Sequence, residues 1–174
     1  MKQTLLVGVA LAALVALPAA GWAQAKTDFS GSWTFDATKS DPAPAVGRRG
    51  GGGGGRGGGG GVPTSLAVTQ TATQITIDRT MGQGLTAAVY KLDASESTNA
   101  LGDVFLSRSK VSWDGAKLVI TTTKDMGLGP NGPLSEDSKE VYGLDGGVLT
   151  IIVTTRSTPG PPNGEQTRKL FYNK

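Results

Sequence analysis

Apolar and polar residues alternate with a period of two along most of this chain. Trp33 and Phe35, Leu66 and Val68, Ile75 and Ile77, Leu118 and Ile120, and Leu149, Ile151 and Val153 each fall on one side of an extended run. The intervening positions carry mainly Thr, Ser, Asp and Lys. That is the signature of strands with one buried and one solvated face. It predicts nine of them, over 31–36, 65–71, 74–81, 85–92, 104–113, 117–124, 138–144, 148–157 and 167–172. Turn chemistry separates the runs: Met81-Gly82-Gln83-Gly84, Asp114-Gly115, Asn131-Gly132 and Asp145-Gly146-Gly147. Longer Gly/Pro connections are expected over 126–133 and 159–164. Beyond residue 25 no stretch has sustained helical periodicity.

Short connections between consecutive strands make an up-and-down antiparallel meander the simplest topology. Eight or nine strands leave two exposed edges unless the sheet curls on itself, so a closed or half-open barrel is expected. One insertion interrupts the pattern. Residues 41–63 hold Asp41-Pro42-Ala43-Pro44, a glycine run broken only by Arg48, Arg49 and Arg56, and Val62-Pro63. Glycine runs bury little apolar surface and lose the most entropy when ordered, which predicts a flexible loop between the first and second strands.

The first 25 residues follow a different rule. Met1 and Lys2 precede an apolar run from Leu5 to Leu17, then Pro18 and small residues lead to Ala23-Gln24-Ala25. This matches a secretory signal peptide cleaved after Ala25. The apolar run is shorter than the roughly 18–20 residues that span a bilayer, so no membrane span is expected after signal removal. The expectation is a periplasmic or secreted product of 149 residues (174 minus 25), forming one domain over 26–174. Its net charge of +3 becomes +2 without Lys2, too small by itself to imply a polyanion partner.

Cysteine and histidine are both absent. Their absence removes Cys–His pairs, Ser-His-Asp triads, and metal sites that need thiolate or imidazole. Carboxylate chemistry and oxygen-ligated cations remain. Glu136, Asp137 and Glu140 cluster before one strand, and Asp93, Glu96 and Asp103 flank a polar turn. Neither group has the spacing of a calcium loop, and neighbours on a turn rarely form a carboxylate pair across a cleft. They read as solvated surface acids. No catalytic residue, cofactor or metal is expected.

Three short segments resemble bacterial lipocalin-like secreted proteins. They are Asp28-Phe29-Ser30-Gly31-Ser32-Trp33 running on to Asp36-Ala37-Thr38-Lys39-Ser40, Trp113-Asp114-Gly115-Ala116-Lys117-Leu118-Val119-Ile120, and Arg168-Lys169-Leu170-Phe171-Tyr172. The resemblance implies a meander barrel opened by Gly31-x-Trp33. In it Trp33 closes the floor against a basic side chain of the last strand, here Arg168. Such a cation–π contact is worth about 0.5–2 kcal/mol.

An eight-stranded barrel has room for packed side chains or one small ligand. Tyr90, Phe105, Trp113, Tyr142 and Tyr172 are the candidate lining. Arg79 continues the Ile75–Ile77 face; it either points inward, where it could clamp a carboxylate, or sits in water at the rim, the placement favoured here. Arg48, Arg49 and Arg56 lack interleaved aromatics and are too few for nucleic acid. Their run reads first as a solvated spacer, with a lid over the cavity mouth or an arm toward an acidic envelope polymer as alternatives. Two functions follow. One is a non-enzymatic exported binding protein with a small apolar or amphipathic ligand inside, which needs roughly 300 Å3 or more of apolar cavity. The other is a structural or interaction protein of the cell envelope, with a filled barrel and the glycine-rich loop as contact element.

Overall fold

The structure, a computed structural model, describes residues 26–42, 61–82, 84–101, 105–129, 132–159 and 164–174. The leader over 1–25 and Arg48, Arg49, Arg56 and Asp103 lie outside them. Ten strands follow in sequence: β1 (Gly31–Phe35), β2 (Ser65–Gln70), β3 (Gln74–Met81), β4 (Gly84–Lys91), β5 (Ser97–Leu101), β6 (Phe105–Asp114), β7 (Lys117–Gly129), β8 (Gly132–Asp145), β9 (Val148–Thr158) and β10 (Gln166–Asn173). All pair antiparallel in one sheet, in the order β4-β3-β2-β1-β10-β9-β8-β7-β6-β5.

The first and last strands are therefore neighbours. Their ladder is short, with Thr34 opposite Asn173 and Phe35 opposite Tyr172. The turn after β1 lengthens it. The Asp36 and Asp41 amides donate to the Phe171 and Lys169 carbonyls, at 2.8 and 2.9 Å. The Phe171 and Lys169 amides donate to Ser40 Oγ and Asp41 Oδ2. Asp36 shapes this turn by accepting from the Thr38 amide and hydroxyl. Those bonds, the Thr38 hydroxyl first, hold its carboxyl well below the usual carboxylate range.

The two sheet edges are thus β4 and β5, and they meet without a backbone ladder. Asn99 of β5 accepts from the Val89 amide (2.8 Å) and donates to the Val89 carbonyl (3.0 Å), as a facing strand's backbone would. Ser97 Oγ accepts from the Lys91 amide. The sheet is a nearly closed barrel with a side-chain seam.

That seam corrects the expected strand count from nine to ten. Ser97-Thr98-Asn99-Ala100-Leu101 has no large apolar alternation, because its inward Ser and Asn serve the seam instead of the core. The long connection expected over 126–133 is likewise absent. β7 runs on to Gly129 and β8 begins at Gly132, with a bulge between Asp125 and Leu128. Gly127 takes φ +83° within that bulge, a conformation that suits glycine.

The predicted faces point inward. Trp33, Leu66, Ile75, Ile77, Leu118, Ile120 and Leu149 are buried in one continuous core. The segment before β1 plugs one end of it. Gln70 holds that segment from both sides, accepting from the Phe29 amide and donating to the Thr27 carbonyl. Phe29 then stacks on Trp113 with centroids 6.3 Å apart and meets the edge of Tyr142 at 6.2 Å.

Gly31 and Trp33 stand at this plugged end. Gly31 has φ +143°, and a Cβ there would come within 3.2 Å of Lys174 Cε. Trp33 Nε1 donates to the Phe29 carbonyl. The cation on its ring is Lys174, with Nζ 5.1 Å from the centroid, and not Arg168. Register explains the difference. Asn173 lies opposite Thr34, whereas Arg168 lies opposite Val153, about 17 Å further along β10 at about 3.4 Å per residue.

Asn99→Leu removes both bonds to Val89. We expect it to cost about 1–2 kcal/mol in urea unfolding and to accelerate hydrogen exchange at the Val89 amide, leaving the β8–β9 amides protected. Unchanged exchange at Val89 would show that the seam does not rely on Asn99.

Candidate functional site

Halfway along the barrel the apolar core gives way to a charged cluster. Arg79 on β3 reaches across the interior to β8, its Nη2 2.8 Å from Glu140 Oε2 and 3.0 Å from the Tyr142 hydroxyl. Its Nη1 donates to the Tyr90 hydroxyl at 3.2 Å. Tyr142 donates to Glu140 Oε2 at 2.5 Å. Solvent reaches only 14% of the Arg79 side chain and 22% of that of Glu140. A second pair, Lys124 Nζ to Glu136 Oε1 at 2.6 Å, lies nearer the far end of the strands.

The rim position favoured for Arg79 is therefore corrected: it points inward and is nearly buried. An arginine at the end of an apolar face needs a partner to stay inside, and Glu140 supplies it from across the barrel. Glu140 is corrected too, from surface acid to interior partner. Its position two residues before Tyr142, on the same strand face, was the available signal. Asp137, of opposite parity, faces out, and Thr123 donates to it.

The other candidates divide. Tyr90, Tyr142 and Tyr172 are buried beside Arg79 or within its field. Trp113 belongs to the floor with Phe29, and Phe105 is 40% exposed, away from the cluster.

Burial would raise the Glu140 carboxyl, but Arg79 and the Tyr142 hydrogen bond outweigh it and hold it below the ordinary 4.5. Arg79 stays firmly charged: burial opposes the charge, but Glu140, Tyr142 and Tyr90 together outweigh it. Burial pushes Tyr90, Tyr142 and Tyr172 above the ordinary 10.0.

Between the cluster and the core remains a cavity of about 40 Å3, bordered by Leu66, Arg79, Glu140, Tyr142, Ile151 and Tyr172. That is room for about one water molecule. Beside this cluster, among the described residues, the space falls far short of the expected apolar cavity of some 300 Å3, because Arg79 and Glu140 meet from opposite walls.

A much larger hollow, about 700 Å3, lies on the outer face over β6 to β9. Its floor is the backbone at Ser109, Thr122, Ser138 and Thr155, whose side chains have inward parity. Its long side chains belong to two outward rows. One row contains Lys110, Thr121, Lys139 and Thr154; the next contains Arg108, Thr123, Asp137 and Arg156. Glu96 and Glu165 flank the ends. No alternating apolar pattern marks this surface, so sequence reasoning missed it.

No family model matches the chain, and no curated protein does. Among solved structures it is similar to an abundant heat soluble (SAHS) protein of Ramazzottius varieornatus, at 16% identity and a TM-score of 0.45, over 63% of this chain and 69% of that one. At that level of likeness no site or activity passes from one to the other.

The three tyrosines are the only ones in the chain, and all three are buried. Their raised folded pKa values favour the folded state fully below pH 10, and that contribution is lost as pH rises beyond it. Phenolate absorbance should therefore appear in a cooperative step together with unfolding; a smooth titration centred on 10 would contradict this burial. On the acid side, the contribution of Glu140 is present above about pH 4.5 and lost as pH falls through its depressed folded value. Glu140→Ala should cost about 3 kcal/mol in urea unfolding, because it strands Arg79 in the interior. Arg79→Met combined with Glu140→Leu should recover most of that loss.

Proposed function

We propose that this chain is an exported, non-enzymatic, lipocalin-like binding protein of the bacterial periplasm or exterior, whose barrel is a filled scaffold and whose recognition surface is its outside. One observation carries the reading: among the described residues, the space beside the Arg79–Glu140 pair is about 40 Å3, whereas the outer face has an open hollow of about 700 Å3. Pockets for small organic ligands run to about 300–1,000 Å3. A small apolar ligand inside would have to displace the Arg79–Glu140 pair, and each stranded charge would oppose it. The seam and the plugged floor make the scaffold rigid, as a surface reader needs. Arg48, Arg49 and Arg56 add three cations to the chain, and we assign them a contact role toward an acidic envelope polymer.

Native mass spectrometry of protein purified from an exporting bacterial host tests this reading. The expected spectrum shows residues 26–174, cleaved after Ala25, at the bare chain mass. A lipid-sized mass that survives purification, and is released by unfolding, would overturn the filled-scaffold reading.

A further inference from the structure

The outer hollow has a charge layout that selects among polymers. Lys110, Lys139, Arg108 and Arg156 all stand on it, and none makes an ion pair among the described residues. Lys110 and Arg108 are neighbours on one face of β6, about 7 Å apart along the strand. Lys139 and Arg156 form a second group on β8 and β9. Between the groups, β7 presents only the hydroxyls of Thr121 and Thr123. Lys110 and Lys139 share a row two strands apart, hence about 10 Å.

Three acids stand among these cations. Asp137 separates Arg108 from Arg156 within its row, and Glu96 and Glu165 close the two ends. A uniformly dense polyanion would press charge against Asp137. Nucleic acid, with a phosphate every 3.4 Å or so along each strand, does that unavoidably. The hollow also has no aromatic side chain on which bases or bare sugar faces stack. What fits is an extended chain with well-separated negative groups, and hydroxyls between them to meet Thr121 and Thr123.

We propose that the outer face of β6–β9 binds an acidic polysaccharide carrying carboxylates on alternate sugars. Lys110 and Lys139 would pair with successive carboxylates, and Arg108 and Arg156 would flank them. The proposal rests on the outside-recognition reading above and names its partner.

Hyaluronan oligosaccharides, with a carboxylate on every second sugar, are a suitable probe for titration calorimetry on the full mature chain. Dextran and single-stranded DNA serve as comparisons. Binding to hyaluronan is expected, weakening as salt rises, with dextran inactive and DNA at least tenfold weaker. Lys110→Gln with Lys139→Gln should lose at least tenfold in affinity at an unchanged melting temperature. Lys39→Gln with Lys117→Gln, which removes the same charge elsewhere, should change it less than twofold. Equal losses in the two double variants, DNA binding as tight as hyaluronan, or no hyaluronan binding would each overturn the proposal. If only Arg48→Gln, Arg49→Gln and Arg56→Gln together abolish binding, the outside-recognition reading stands and this hollow is not the site.

Discussion

A single β-sheet has two edges, and the rest of this structure depends on how they are removed. The chain enters in the middle of the sheet, pairs its first strand with its last, and leaves β4 and β5 as the edges. Those edges come together through Asn99 and Ser97, whose polar atoms replace the missing ladder. Curling follows, and it gives every inward face one shared interior. A flat sheet of the same strands would leave Trp33, Ile77 and Leu118 on a wet surface.

Once the sheet is curled, side chains from opposite walls meet across the described interior. At the plugged end, Phe29, Trp113 and Tyr142 pack ring against ring. Halfway along, Arg79 spans the space and is neutralised by Glu140, with two tyrosine hydroxyls completing its hydrogen bonds. A buried ion pair of this kind adds little net stability compared with apolar packing, but it tolerates only one arrangement of the opposing walls. It ties β3 to β8 across the interior. The larger hollow lies outside, over β6–β9.

Much of this fold was legible residue by residue. The period-two runs at Trp33–Phe35, Ile75–Ile77 and Leu149–Val153 identified the strands and their inward sides, since a strand cannot turn one side chain without turning them all. The site was only half legible. Tyr90 and Tyr142 were readable as inward aromatics, but their meeting with Arg79 depends on β3 and β8 facing each other across the barrel. β5 was invisible because its polar residues make seam contacts, which leave no apolar rhythm. The cation on Trp33 was misassigned to Arg168 because motif resemblance carries no register. The hydrogen-bond ladder puts Lys174 there instead.

What the sequence determined by itself was therefore local: strand faces, turns, and the chemistry ruled out by the absence of cysteine and histidine. Those properties depend on residue type and on neighbours one or two positions away. Closure through Asn99, the Arg79–Glu140 bridge and the rows of cations on the outer face were decided only by tertiary structure. Each joins residues distant in the chain or on different strands, and the partners are set by sheet order and register, which no local pattern encodes.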